Sequence, residues 1–118
     1  LDKKTQQRIQ NRLRELSIQT PEYSQALKDC KVLKFVGKYK NGKDKFRVHH
    51  TCAFCAKDYL REEVQVDHII EVGQFDCWEN WIERLFCESW GFQILCTRCH
   101  LAKTNSFMES IRLGTIYL

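Results

Sequence analysis

Cys96-Thr97-Arg98-Cys99-His100 stands late in the chain, and 40 residues separate it from a second pair of the same spacing, Cys52-Ala53-Phe54-Cys55. Two Cys-x-x-Cys pairs supply four thiolates, the number that a closed tetrahedral Zn²⁺ site takes. Zinc bound there would clamp two distant segments together and fix the place of His100, directly after the last thiolate. Between the pairs lies Asp67-His68. If that dipeptide folds back against His100, one small fold holds a structural metal and, beside it, a second and open metal site.

Working outward, 118 residues make one domain, or a core with an arm, and bury a modest core that a metal clamp would reinforce. Seven cysteines is an odd count, and the sequence shows no apolar leader at Leu1-Asp2-Lys3-Lys4. A secreted disulfide scaffold is therefore not expected, and neither is a membrane protein, since no apolar run approaches spanning length. The expectation is a reducing, intracellular setting in which thiols are kept for metal. Charge divides unevenly: residues 1–50 carry 13 Lys and Arg against 5 Asp and Glu, residues 51–118 carry 6 against 10. A basic first half beside an acidic second half suits a polyanion-binding arm (1–50) joined to a core (51–118) with carboxylates at its site.

The periodicity predicts a mixed α+β chain. Ile9, Leu13 and Leu16 recur at helical spacing over 5–17, with Arg8, Arg12 and Arg14 among them. Thr20-Pro21-Glu22 reads as a cap and first turn of a second helix reaching about Lys31, with Tyr23, Leu27 and Cys30 on one side. Asn41-Gly42 marks a hairpin, since both residues tolerate positive φ. Its strands carry Lys38, Lys40, Lys43, Lys45 and Arg47, with Tyr39 and Phe46 near the turn, a set that can lie along a phosphate backbone. His49 and His50 are expected on the surface or in packing. A short strand is expected over 64–70 and a helix over 77–89, whose body takes Cys77 and Cys87 as free thiols and whose face takes Trp78 and Trp90. Gly91 ends that element. Phe92 to Leu95 is a buried strand running into Cys96, and a last helix follows Cys99 to roughly Leu113.

Hydrolysis of a phosphodiester needs a water, a base to deprotonate it and positive charge near the leaving oxygen. Histidine serves as base at neutral pH, and hard divalent cations take oxygen and imidazole ligands in preference to thiolates. Asp67, His68 and His100 supply that set. In joint order, Cys-x-x-Cys, Val66-Asp67-His68-Ile69-Ile70 and Gln93-Ile94-Leu95-Cys96-Thr97-Arg98-Cys99-His100-Leu101-Ala102-Lys103-Thr104 resemble an HNH endonuclease of the kind common in phages. The resemblance covers about residues 50–110. It implies a ββα-metal (His-Me finger) core with structural zinc at Cys52, Cys55, Cys96 and Cys99, here preceded by N-terminal helices and a basic hairpin. It further implies a catalytic Mg²⁺ or other divalent ion held by Asp67 and His100, His68 as general base, Lys103 among the DNA contacts, and products with 3′-hydroxyl and 5′-phosphate ends. The implied partner is double-stranded DNA, with phage DNA-packaging proteins as a further expectation. If the chain is phage-encoded, the compartment is the cytoplasm of a bacterial host.

Two positions depart from the family pattern. Glu71 stands where a proline is common, and Gly91 stands where the middle asparagine, which supports the loop and the base, usually sits. Asn80 is the nearest substitute, eleven residues earlier. Two other classes share the cysteine spacing. A non-catalytic zinc-stabilised DNA-binding module has no need for Asp67, His68 and His100 together. A zinc-built adaptor in a larger assembly would use the apolar surface around Trp78, Trp81 and Trp90 as an interface.

Overall fold

Two capped helices open the chain in the computed structural model, which describes residues 1–112, the side chains of Ser110 and Ile111 excepted. Asp2 caps α1 (Lys3–Ser17) by accepting from the Thr5 amide at 2.7 Å, one of the donors that has no partner inside the helix. Thr20 caps α2 (Pro21–Asp29), and Pro21 fills its first position, where a missing N–H costs nothing. The apolar stripe expected along α1 is not what the helix buries. Ile9 and Leu16 are exposed, while Gln10 and Ser17 are buried. The helix meets the body through Arg14, whose guanidinium lies 5.3 Å above the Trp81 ring.

β1 (Lys31–Lys38) and β2 (Asp44–Thr51) form the expected hairpin, with β3 (Asp58–Tyr59) added to β2. Gly42 takes φ +86°, whereas Asn41 does not use positive φ and instead accepts from the Lys43 amide with its side chain at 3.0 Å. A register shift between Phe35 and Gly37, with Gly37 at φ +137°, adds a bulge that the residue pattern does not announce. One face pairs Leu33 with Val48 and Phe35 with Phe46, all solvent-exposed; the other carries Lys34 opposite Arg47.

The second half is built on a two-stranded ribbon. β4 (Val64–His68) pairs antiparallel with β5 (Phe92–Cys96), from Val64 opposite Cys96 to His68 opposite Phe92. Between them lies α3 (Trp78–Leu85), and directly after β5 comes α4 (Thr97–Arg112). Four of the five residues of β5 are buried, as a strand covered on both faces requires. Its cover is α4 together with α2, whose Tyr23 ring packs edge-on against Phe92.

Four boundaries differ from expectation. α2 stops at Asp29, because the chain is already extended from Lys31. β4 ends at His68, although the Ile69 amide still bonds the Gly91 carbonyl at 2.9 Å. α3 stops at Leu85 because Phe86 turns to ψ +66°, which removes Cys87 and Trp90 from its face. Trp90 sits in a separate 3-10 turn and is 76% exposed, whereas Trp81 is wholly buried and packs with Trp78 and Phe75. α4 begins at Thr97, not beyond Cys99, so Cys99 and His100 belong to its first turn. Its expected end at Leu113, the Ile111 side chain and the tail 114–118 lie outside the described residues.

α1 and α2 rest on the second half, and His50 is buried with its Nδ1 3.2 Å from the Leu27 carbonyl. The hairpin is exposed over most of its length, in a molecule 62 Å long and 30 by 23 Å across. Among the described residues no helix is long and apolar enough to cross a membrane.

Candidate metal centre and its neighbours

The two Cys-x-x-Cys pairs converge. The Sγ atoms of Cys52, Cys55, Cys96 and Cys99 all lie within 4.8 Å of one another. Tetrahedral Zn–S bonds of about 2.3 Å put sulfurs about 3.8 Å apart, so the thiols need only a small contraction to hold an ion such as zinc. Local structure presents them. Cys52 opens a tight turn in which its carbonyl accepts from the Ala56 amide at 3.0 Å and its amide donates to the Lys57 carbonyl at 2.9 Å. Ala56 closes that turn at φ +62°, a conformation uncommon outside glycine. The Ala53 amide ties the turn to β5 through the Ile94 carbonyl at 2.8 Å. In the second pair, Cys96 ends β5 and its sulfur accepts from the Cys99 amide at 3.4 Å, standing as the cap of α4.

Tyr59, which carries no motif of its own in the sequence, borders the cage. Its hydroxyl lies 3.3 Å from the Cys55 sulfur. That hydroxyl, helped by the Lys57 amide, pulls the Cys55 thiol down to about 6. Burial pushes Cys96 up, but the Cys99 amide and Tyr59 outweigh it and the net shift is downward. Cys99, facing sulfurs already prone to ionise, is raised, first by Cys96 and then by burial. Negative charge thus gathers in the cluster, which suits a cation. Cys30 and Cys87 are different: burial raises both, and neither joins the cage.

Further along the ribbon, Asp67 of β4 and His100 of α4 meet. Asp67 is buried, and its Oδ1 is 3.6 Å from His100 Nε2. That separation is long for a hydrogen bond, but two ligand bonds of about 2.1 Å to a shared ion span a similar gap. A carboxylate and an imidazole at this separation are donor types that suit a hard or borderline divalent cation. Among the described residues, the four cysteines are the group of three or more such ligands; Asp67 and His100 are a pair.

His68 occupies the last position of β4, and its ring makes no hydrogen bond to Asp67 or His100. Its centroid is 4.9 Å from that of Phe92, and Nε2 is 2.9 Å from the Leu85 carbonyl. A carbonyl only accepts, so Nε2 carries the proton in this bond and Nδ1 is left unprotonated in the neutral ring. Lys103, expected to face DNA, instead turns inward onto Asp67 Oδ2 at 2.5 Å. Asn80 makes no hydrogen bond to Asp67, His68 or His100; its amide donates to Asp76 at 3.3 Å. It lines an open cleft of about 540 Å³ with Ile69, Ile70, Glu83 and Trp90. Arg84 braces the loop before α3, donating to the Val72 carbonyl at 2.6 Å and to Asp76 at 2.9 Å.

On the hairpin, Lys38 is paired with Asp44 at 3.2 Å and Lys45 lies over the Tyr39 ring. Lys40, Lys43 and Arg47 extend from the exposed surface. No family model, curated protein or solved structure matches the chain.

Proposed function

We propose that this chain is a metal-dependent HNH-type endonuclease or nickase acting on double-stranded DNA. The observation that carries the reading is the convergence of Asp67 and His100, 33 positions apart, at 3.6 Å beside a four-thiol cage. The order of β4, β5 and α4 agrees with a ββα-metal core, and the cage agrees with structural zinc. Asp67 and His100 would hold a divalent ion, Mg²⁺ in the family the sequence resembles, which would supply positive charge near the scissile phosphate and its leaving oxygen.

The chain's own residues do the rest. The Leu85 carbonyl holds the His68 ring in one tautomer, with Nδ1 as the atom that takes a proton from the attacking water. Support of this kind is what a general base needs from a third group. It also answers for the missing middle asparagine, since a main-chain carbonyl meets the base where Gly91 offers no side chain. The hairpin, basic and projecting, suits the duplex backbone. A non-catalytic DNA-binding module is the second reading, and the observation favouring it is the Lys103–Asp67 ion pair, which already satisfies the carboxylate.

Cleavage of supercoiled plasmid separates the two. Wild-type protein with added Mg²⁺ or Mn²⁺ is expected to nick, and a chelator to stop it. His68→Ala is expected to lower the rate about 10²–10⁴-fold, the usual worth of a general base, with zinc content and DNA affinity retained. A His68→Ala protein that nicks like wild type defeats the assignment.

A further inference from the structure

Lys103 is held by polar groups on several sides beside Asp67, and the hydrolysis proposed above gives it no task. Its ammonium donates to Asp67 Oδ2 at 2.5 Å and to the main-chain carbonyls of His68 and Ile69 at 2.6 and 3.4 Å. Glu71, standing where the family pattern has proline, adds its carboxylate at 3.3 Å. Gln93 donates to the same Oδ2 at 3.0 Å. Two donors from two different elements therefore occupy one oxygen of Asp67. The other, Oδ1, is left to face His100.

We infer that Lys103 is a positioning residue that makes Asp67 a one-oxygen ligand and holds down the affinity of the Asp67–His100 pair for divalent cations. The inference rests on the reading of that pair as a cation site. An ammonium bonded to Oδ2 lies about 5 Å from an ion on Oδ1, and charges of +1 and +2 at that distance repel by about a factor of ten in affinity even in the dielectric of water. The setting is half-buried, with the Lys103 side chain 27% and the Asp67 side chain 8% exposed, so screening is weaker than in bulk. Removing the Lys103 hydrogen bond works in the other direction by less, because Gln93 keeps its hold on Oδ2.

The test is Mn²⁺ titration of the zinc-loaded full chain, followed by the electron paramagnetic resonance signal of free Mn²⁺. Lys103→Met and Lys103→Gln are expected to bind Mn²⁺ about tenfold or more tightly than wild type, the repulsion being gone. The glutamine variant keeps a donor and removes only the charge, so it carries the test if the methionine variant misfolds. Wild-type binding that His100→Ala removes, with no tightening in either Lys103 variant, overturns the inference and leaves the cation site standing. An absence of Mn²⁺ binding in wild type and both variants overturns both.

Discussion

The thiol cage and the Asp67–His100 pair lie towards opposite ends of one five-residue ribbon, and they are built in opposite ways. At the Cys96 end, Cys52 and Cys96 are 1% and 3% exposed, and the ligand set is complete within the protein. At the His68 end, the His100 side chain is 30% exposed, and the carboxylate has one oxygen committed to Lys103 and Gln93. A closed shell contributes to folding; an open shell leaves room for reactants. On the proposed reading, the first site belongs to the stability of this domain and the second rests on a fold already made.

The sharpest way to break that contrast is at the cage. Cys52→Ser and Cys96→Ser are expected to abolish zinc binding and cooperative thermal unfolding together. Structural zinc contributes about 10–16 kcal/mol in small domains, as large as the whole stability of an ordinary one. An unchanged melting temperature would show that the cage is not the clamp. His68→Ala marks the other side, with a large drop in cleavage and a melt lowered only modestly, by loss of the Leu85 hydrogen bond and the Phe92 contact.

A smaller effect is expected on the hairpin. Replacing Lys40, Lys43 and Arg47 with alanine should weaken DNA binding across sequences and flatten its salt dependence. The log–log slope should fall by about 0.9 for each phosphate that is no longer neutralised. Lys38→Ala should do less, since Asp44 already holds that ammonium. Equal effects at all four positions would mean that the Lys38–Asp44 pair opens on binding.

The smallest effect sharpens the fold side of the contrast. Burial, opposed in part by the Leu27 carbonyl, holds the His50 pKa below its ordinary value. The ring is therefore neutral when folded and takes up a proton more readily when unfolded. Stability should decline as pH falls from about 6.5, the ordinary value, toward the lower folded value. Urea denaturation of wild type and His50→Gln at pH 7 and below about pH 6 measures it, and equal declines in both proteins would remove His50 as the cause.

Much of this was legible in the residues. Thr20-Pro21 and Asn41-Gly42 dictate their own backbone geometry, so a helix start and a turn appeared where their chemistry put them. The cysteine spacing brought four thiols together for the same reason: few arrangements other than a shared ion need two such pairs. What the sequence concealed depends on packing between distant segments. Helical spacing carried the expected α3 through Cys87 and Trp90, and nothing local announced that Phe86 would leave the helix. Tyr59 beside Cys55, Lys103 turned onto Asp67 and the Leu85 carbonyl under His68 follow from how β4, β5 and α4 stack, which no short motif encodes.

At Gly91, where the HNH pattern that the sequence resembles has asparagine, a larger side chain has no room. A Cβ built there would stand 2.7 Å from Cys87 Sγ and 2.9 Å from its Cβ, so the space is already taken. The two positions are interlocked, and a change at 91 requires Cys87 to give way first. Meanwhile the tether on His68 comes from peptide backbone, which no exchange of side chains can delete. A scan by alanine through this neighbourhood would pass straight over the group that steers the imidazole.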